Sequence, residues 1–537
     1  MQFKRKPDFK KTESLSRLLF YLTPTFMFFL SVFFLGEADP YKLRLSIIET
    51  AFFSGILYLF TTLLPYGKFK SFIFYFGYLL IVVAVFIQVS YYNLYADRIS
   101  ASTIFILIET NPVETIEFLG AYFNTFNLIL LLSLLAPLFL LKFIIKSFKI
   151  YLPKNGIGII LLIMLLVVYH YKSLANHNLY NIAYNSYQEY LEETELYDEF
   201  GLDDPIGGIA EVSVEPNNKR KVFVMLIGES TTRHRMSLYG YGRQTNPELE
   251  KIKDELLVYR NVISPHTHTI PSLSKLMSFK HYENETRLDE GTIIQLMNKA
   301  GLETHWISNQ KPIGLNETLV TKMANASDNL YFLNINNYKI GSIYDEVVLD
   351  PLKKVLKEKE DQFIVIHLLG THAGYTNRYP SSFDFFTDTP PLLNNSAGIN
   401  VVNSYDNAIR YNDFIVSEII SEVKKQDAYS YVLYFADHGE DVYQVNEGAS
   451  HTETMGTYPM YDVPFILWRS ESFKADWRIN FEPNRPYMLD DLIFSISDLS
   501  GVDFEGFEPE RSIFNENFEE RDRIIYDEKN YDSIFSR

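Results

Sequence analysis

Five apolar runs crowd the first third of the chain, at about 17–36, 46–65, 71–92, 123–145 and 156–171, and they restrict its fold more than any other feature. A helix of about 20 apolar residues crosses the hydrocarbon core of a bilayer, and a soluble core cannot house so many nearly uncharged runs of that length. The last run, GIGIILLIMLLVVYHY, is the shortest. The first is too long for a cleaved signal peptide and lacks a small-residue cleavage site. The expectation is a membrane domain over residues 1–172 with five spans.

The loops set its direction. Basic residues gather in the N-terminal tail (Lys4, Arg5, Lys6, Lys10, Lys11), after the second run (Lys68, Lys70) and after the fourth (Lys146, Lys149, Lys154). The alternate loops carry Glu37, Asp39, Glu109, Glu114 and Glu117, against Lys42, Arg44 and Arg98. The positive-inside rule then places the N-terminus in the cytoplasm and everything after residue 172 outside. The outer loop at 93–121 is long and amphipathic, suited either to lying on the membrane surface or to a solvated connecting helix.

Residues 173–218 are polar and read as a connecting helix and linker; residues 219–537 form a soluble domain. In that domain KVFVMLIGES, LETHWISNQ, QFIVIHLLGTH and YVLYFADHGE read as strands alternating with helical patterns such as YNDFIVSEIISEVKKQ. The alternation predicts an α/β fold, a mainly parallel sheet with helices on both faces. Ligands of such sheets gather beyond the carboxyl ends of the strands. The polar residues of this chain fall there: Glu229 after the first strand, Asn309, Gln310 and Lys311 after the second, His367 and His372 about the third, Asp437 and His438 after the fourth.

One strand-ending acid is an ordinary cap or turn former. Repetition at four strand ends points instead to a shared site. Carboxylates and imidazole without thiolate (the chain has no cysteine) suit a divalent cation of zinc or manganese type. Glu229, Asp437 and His438 supply the ligands, and a hydroxyl beside such an ion becomes a nucleophile at neutral pH. SPHTHTIPSLSKLMSF offers Thr269, just before Pro271 in a helix start where free backbone N–H groups would hold a phosphate. Thr269 also reads as a simple cap, Thr267 and Ser272 are rival nucleophiles, and His266 and His268 are further candidate ligands. A net charge of −18, from 49 Lys and Arg against 67 Asp and Glu, argues against a nucleic-acid partner.

GYGRQTNPEL, THTIPSLSKLMS, HLLGTHAGY, SYDNAIRYND, ADHGED and ASHTETMGTYPMYDVPFILW, in this order, resemble the membrane-bound phosphoethanolamine transferases of Gram-negative bacteria, in the alkaline phosphatase and sulfatase superfamily. The resemblance spans nearly the whole chain. It implies an alkaline phosphatase/sulfatase-like αβα sandwich in the periplasm, anchored in the inner membrane by five helices. It further implies a zinc enzyme in which Glu229, Thr269, Asp437 and His438 bind the catalytic ion, ahead of manganese or magnesium. Thr269 would take phosphoethanolamine from phosphatidylethanolamine and pass it to lipid A, a lipopolysaccharide core sugar or another envelope glycan.

By the same resemblance His372 and His451 meet the transferred group or hold a second zinc. Thr110 and Glu114 in the outer loop contact the donor head group, and Asn309 and Lys311 contact substrate. The protein is expected to act as a monomer. Many lipid A-modifying members carry paired cysteines, which this chain lacks, and WISNQK resembles the branch acting on core sugars or other glycans. The competing readings are a glycerol-phosphate transferase of the lipoteichoic acid synthase type and a non-catalytic scaffold. A sulfatase is disfavoured because the nucleophile position holds Thr269 rather than cysteine or serine.

Overall fold

A computed structural model describes residues 15–35, 40–65, 67–95, 99, 104, 115, 123–144, 157–171, 174–199, 201–209, 211–215, 217–284, 290–310, 319–334, 343–390, 393, 398–453 and 456–535. The chain divides into two compact units that part between Leu191 and Glu192.

In the first unit each apolar run falls on a helix: α1 (Leu15–Leu35), α2 (Pro40–Leu63), α3 (Lys68–Tyr95), α4 (Thr125–Ile144) and α5 (Ile157–Tyr171). Among the described residues, Arg44–Leu63 and Lys68–Asn93 are long and apolar enough to cross a membrane, whereas the apolar parts of the other three helices are shorter. Aromatic side chains tie α1, α3 and α4 together: Phe20 stacks on Tyr78, and the hydroxyls of Tyr21 and Tyr78 donate to the carbonyls of Phe74 and Leu134 at 2.7 and 2.8 Å. Glu49 of α2 is buried, and its Oε1 accepts from Tyr169 at 2.7 Å and from Asn178 at 2.6 Å. A carboxylate among apolar helices survives only with such donors, so these bonds tie α2 to α5 and to the start of α6 (Leu179–Glu199). Most of the outer loop at 93–121 lies outside the described residues.

The second unit is built on a seven-stranded sheet: β1 (Lys221–Gly228), β2 (Leu256–Tyr259), β3 (Glu303–Ser308), β4 (Asn329–Phe332), β5 (Gln362–His367), β6 (Tyr429–Ala436) and β7 (Phe465–Arg469). Their order is β2-β7-β6-β1-β5-β3-β4, and β7 runs antiparallel to both neighbours. The four strands expected from the sequence are β1, β3, β5 and β6, all mutually parallel. Alternation along them shows why two helical layers form. Phe223, Met225 and Ile227 enter one core and Val222, Val224 and Leu226 the other. α7 (Thr269–Leu276), α8 (Ile293–Lys299) and α11 (Leu492–Ser500) cover the first face, while α9 (Leu349–Val355) and α10 (Ile399–Lys424) cover the second. The strand Val212–Val214, within the expected connecting stretch, pairs antiparallel with Val502–Phe504.

Two of the sequence motifs turn out to brace each other. Arg243 and Tyr241, from GYGRQTNPEL, donate to Asp406 of SYDNAIRYND at 2.8 and 2.9 Å, and Asp413 of the same helix caps the backbone of Glu248 and Leu249. Register then aligns the strand ends. Gly228 lies opposite Ala436, and His367 opposite both Ile227 and Ser308, so the residues that follow them share one rim.

Candidate active site

Glu229, the first residue beyond β1, is held by a strained neighbour. Ser230 has φ of 54°, a left-handed conformation that a serine adopts only when its surroundings impose it. The restraints are visible: Ser230 N donates to Asp437 Oδ1 at 3.1 Å, its Oγ donates to Glu229 Oε1 at 2.9 Å, and its carbonyl accepts from Tyr405 and Thr371. The turn after β5 closes on the same backbone. A Cβ on Gly370, at φ of 55°, would stand 2.7 Å from Glu229 N, so this contact requires glycine. Asp345, buried, fixes that turn by accepting from Leu369 N and Gly370 N, both at 2.9 Å.

Asp437 and His438 leave β6 beside Glu229. The ligand atoms of the three residues lie within 4.8 Å of one another, and all three side chains are buried. Thr269, at the start of α7, joins them: its hydroxyl oxygen is 3.1 and 3.2 Å from the two oxygens of Glu229 and 3.5 Å from His438 Nε2. The four residues expected to converge therefore do. His438 Nδ1 donates to the Gly439 carbonyl at 2.8 Å, which turns Nε2 toward the two carboxylates, 3.4 Å from Glu229 Oε1 and 3.6 Å from Asp437 Oδ2.

The electrostatics of the cluster ask for a cation. Burial and the Glu229 charge push the Asp437 carboxyl well above the usual carboxylate range. Against its own burial, the charges of Asp437 and Glu229 raise the His438 imidazole to about 10. Asp437 Oδ2 is buried with no hydrogen-bond partner. An unpaired buried carboxylate oxygen facing an imidazole and a second carboxylate is the donor set of a zinc site. The residues fit the ion.

The rival nucleophiles are committed elsewhere. Thr267 is completely buried against His268 Nδ1 at 3.1 Å, and Ser272 contacts Ser264 Oγ and donates to the His266 carbonyl. His266 pairs with Glu453 at 2.6 Å and His268 Nδ1 meets the Thr267 hydroxyl at 3.1 Å; neither is among the ligand atoms gathered with Glu229, Asp437 and His438. His451 packs its ring 4.6 Å from that of His438, with Nδ1 bonded to Glu440 at 2.8 Å. His372 follows β5 on the same rim, its Nδ1 buried without a partner.

Asn309 is placed differently from expectation. It is completely buried, and its amide donates to Ile343 O and to Asp345, so it braces the β5 turn instead of facing substrate. Its neighbour Gln310 is the residue that reaches the cluster, 3.4 Å from Glu229 Oε2. Thr110, Glu114 and Lys311 lie outside the described residues. Sequence reasoning missed Ser230, Asp345, Gly370 and Glu440, which act through backbone approach or through one partner. Glu440, three residues from Asp437 in ADHGED, and Gly370, in HLLGTHAGY, sat in motifs that could have flagged them.

The sulfatase family profile matches residues 221–502. Phosphoethanolamine transferase EptC of Escherichia coli strain K12 is 32% identical over 471 residues, 81% of this chain and 81% of that protein. The chain belongs to the phosphoethanolamine transferases. Salmonella typhimurium CptA, another such transferase, is 31% identical over 473 residues, again 81% of each chain. The zinc complex of the C-terminal periplasmic domain of Escherichia coli EptC superposes with a TM-score of 0.57 at 35% identity, covering 60% of this transferase and 95% of that domain. An integral membrane lipooligosaccharide phosphoethanolamine transferase A from Neisseria meningitidis shares the fold over 94% of this chain and 98% of its own (TM-score 0.66, 17% identity).

Proposed function

We propose that this transferase moves phosphoethanolamine from phosphatidylethanolamine to lipopolysaccharide, on lipid A or a core sugar, or to another envelope glycan, through a phosphoethanolamine-threonine intermediate at Thr269. The observation that carries the reading is the Thr269 hydroxyl 3.1 Å from Glu229, in a cluster with Asp437, His438 and an unpaired buried carboxylate oxygen. Glu229, Thr269, Asp437 and His438 would hold zinc, which lowers the pKa of a hydroxyl it touches and offsets charge on phosphoryl oxygens.

The chain's own groups define two displacements. The Thr269 proton passes toward the Glu229 carboxylate as Oγ bonds to phosphorus. The phosphorus–oxygen bond to diacylglycerol breaks, and the leaving oxygen takes a proton from an imidazole, His451 or His372. An acceptor hydroxyl, giving up its own proton to that imidazole, then attacks phosphorus; the bond between phosphorus and Thr269 Oγ breaks, and Oγ takes back its proton from Glu229. Free N–H groups at the α7 N-terminus share the charge on the phosphoryl oxygens.

The reading places five spans over residues 1–172 in a bacterial inner membrane, the N-terminus in the cytoplasm and residues 219–537 in the periplasm. There the donor lipid and a lipid-anchored acceptor meet the site at raised effective concentration. Thr110 and Glu114 in the outer loop, and Lys311 on the catalytic unit, would contact the donor head group or the acceptor. Mass spectrometry of lipid A and core from cells with and without the active protein tests this directly. An envelope whose phosphoethanolamine content is identical in the two would refute it.

Glu440 holds the His451 ring through Nδ1 at 2.8 Å, with the ring centroid 4.6 Å from that of His438. Glu440→Gln keeps an acceptor for His451 but removes the charge, and is expected to lower kcat about 10- to 100-fold with KM and melting temperature little changed. A drop in melting temperature with kcat intact would mean that Glu440 is only a structural residue.

A further inference from the structure

At the opposite end of the sheet from the catalytic rim a second group of ligand atoms converges. Glu303 and His305 open β3, two residues apart and therefore on one face of the strand, and Glu358 arrives from the loop between α9 and β5. Their ligand atoms lie within 4.8 Å of one another. β3 spans six residues, which at about 3.3 Å per residue puts this group well clear of the rim.

The imidazole is the informative member. His305 is completely buried, its Nδ1 has no partner, and its Nε2 lies 3.6 Å from Glu358 Oε2 and 3.8 Å from Glu303 Oε2. Those separations are too long for hydrogen bonds. They are close to the ~3.4 Å edge of a tetrahedron of ligands about 2.1 Å from one ion. The remaining neighbour of Nε2, the Gln362 amide nitrogen, stands 3.5 Å away and makes its shorter bond, 2.9 Å, to the Val355 carbonyl.

Charge points the same way. Neither Glu303 nor Glu358 pairs with a lysine or arginine among the described residues; their partners are His305, Asn329 and Gln362. Arg220, on the far side of Gln362, turns its guanidinium to carbonyl oxygens and to Gln362 Oε1. Burial holds His305 near 4, so it is neutral and offers a lone pair. Partial burial and the charges of Glu303 and Glu360 push Glu358 up, with Arg220 and the Gln362 amide offsetting only part of it.

We propose that Glu303, His305 and Glu358 bind a structural divalent cation of zinc type at the amino-terminal end of the sheet. One imidazole and two carboxylates favour zinc over calcium or magnesium, which prefer all-oxygen shells. Such an ion would tie the start of β3 to the loop that enters β5, near the sheet edge.

The test uses the full chain in detergent, stripped with chelator, dialysed against zinc chloride and assayed for zinc per chain by mass spectrometry. Glu358→Gln and His305→Gln are each expected to carry one zinc fewer than the unmodified protein, to retain phosphoethanolamine transfer, and to lose part of the zinc-dependent rise in melting temperature. Diffraction at the zinc absorption edge should place an anomalous peak about 2.1 Å from His305 Nε2. The Glu358 side chain is 40% exposed, so Glu358→Gln decides the matter if the buried His305 variant does not fold. Equal zinc content in the unmodified protein and Glu358→Gln, with no anomalous density among the three side chains, overturns the proposal in favour of a protonated His305 shared by the two carboxylates.

Discussion

Thr269→Ala abolishes phosphoethanolamine transfer while leaving the transferase folded: that is the expected result of removing the nucleophilic hydroxyl together with one methyl group. The side chain is half-buried at a helix start, and among the described residues its oxygen bonds only to the cluster, with 3.1 and 3.2 Å contacts to Glu229 and 3.5 Å to His438. Its loss leaves packing intact but removes the atom that would bond to phosphorus. A fall of at least about 10³-fold in kcat, about 4 kcal/mol in the barrier, is the scale for deleting a nucleophile. Neither rival hydroxyl can replace it, because Thr267 and Ser272 point into bonds with His268, Ser264 and the His266 carbonyl. Thr269→Ser restores the oxygen and should recover measurable turnover. Transfer from a labelled phosphatidylethanolamine gives the rates, and intact-protein mass after donor alone gives the adduct. Unmodified protein should gain the mass of one phosphoethanolamine group and Thr269→Ala none. Normal turnover by Thr269→Ala would remove threonine from the mechanism altogether.

How far the sequence led depended on the range of the interactions involved. The apolar runs and the strands β1, β3, β5 and β6 were legible because a bilayer and a two-sided core impose long unbroken apolar patterns on neighbouring residues. The convergence of Glu229, Thr269, Asp437 and His438 was legible because parallel strands deliver their carboxyl ends to one rim. Strand order was not. β7, antiparallel to both β2 and β6, leaves no local mark of its reversed direction. Asn309 shows the same limit at a single residue. A polar side chain beyond a strand reads as a ligand, but here it turns inward to Asp345, 36 positions away, a partner that only the folded chain supplies. The left-handed Ser230 was equally hidden, since its restraints come from Thr371, Tyr405 and Asp437.

Gly439 in ADHGED gives the second large effect, on structure rather than on chemistry. Its φ is not left-handed, so conformational freedom does not explain the glycine; close approach does. A Cβ there would lie 2.1 Å from the Pro459 carbonyl oxygen and 3.1 Å from that of Asp462, both backbone atoms that no rotamer change can move. The same residue donates its N–H to Met460 O at 2.8 Å and accepts the proton of His438 Nδ1. A methyl group must therefore push the 437–440 loop away from the 459–462 segment, breaking the bond that aims His438 at Glu229. Gly439→Ala should cost about 3 kcal/mol of stability, the upper end of the usual range for overpacking because the clash is with backbone, with loss of bound zinc and of transfer. Thermal unfolding and zinc content of the purified variant measure both parts. Loss of zinc with an unchanged melting temperature would mean that the loop yields locally. A variant with normal stability, zinc and turnover would show that this contact does not aim His438.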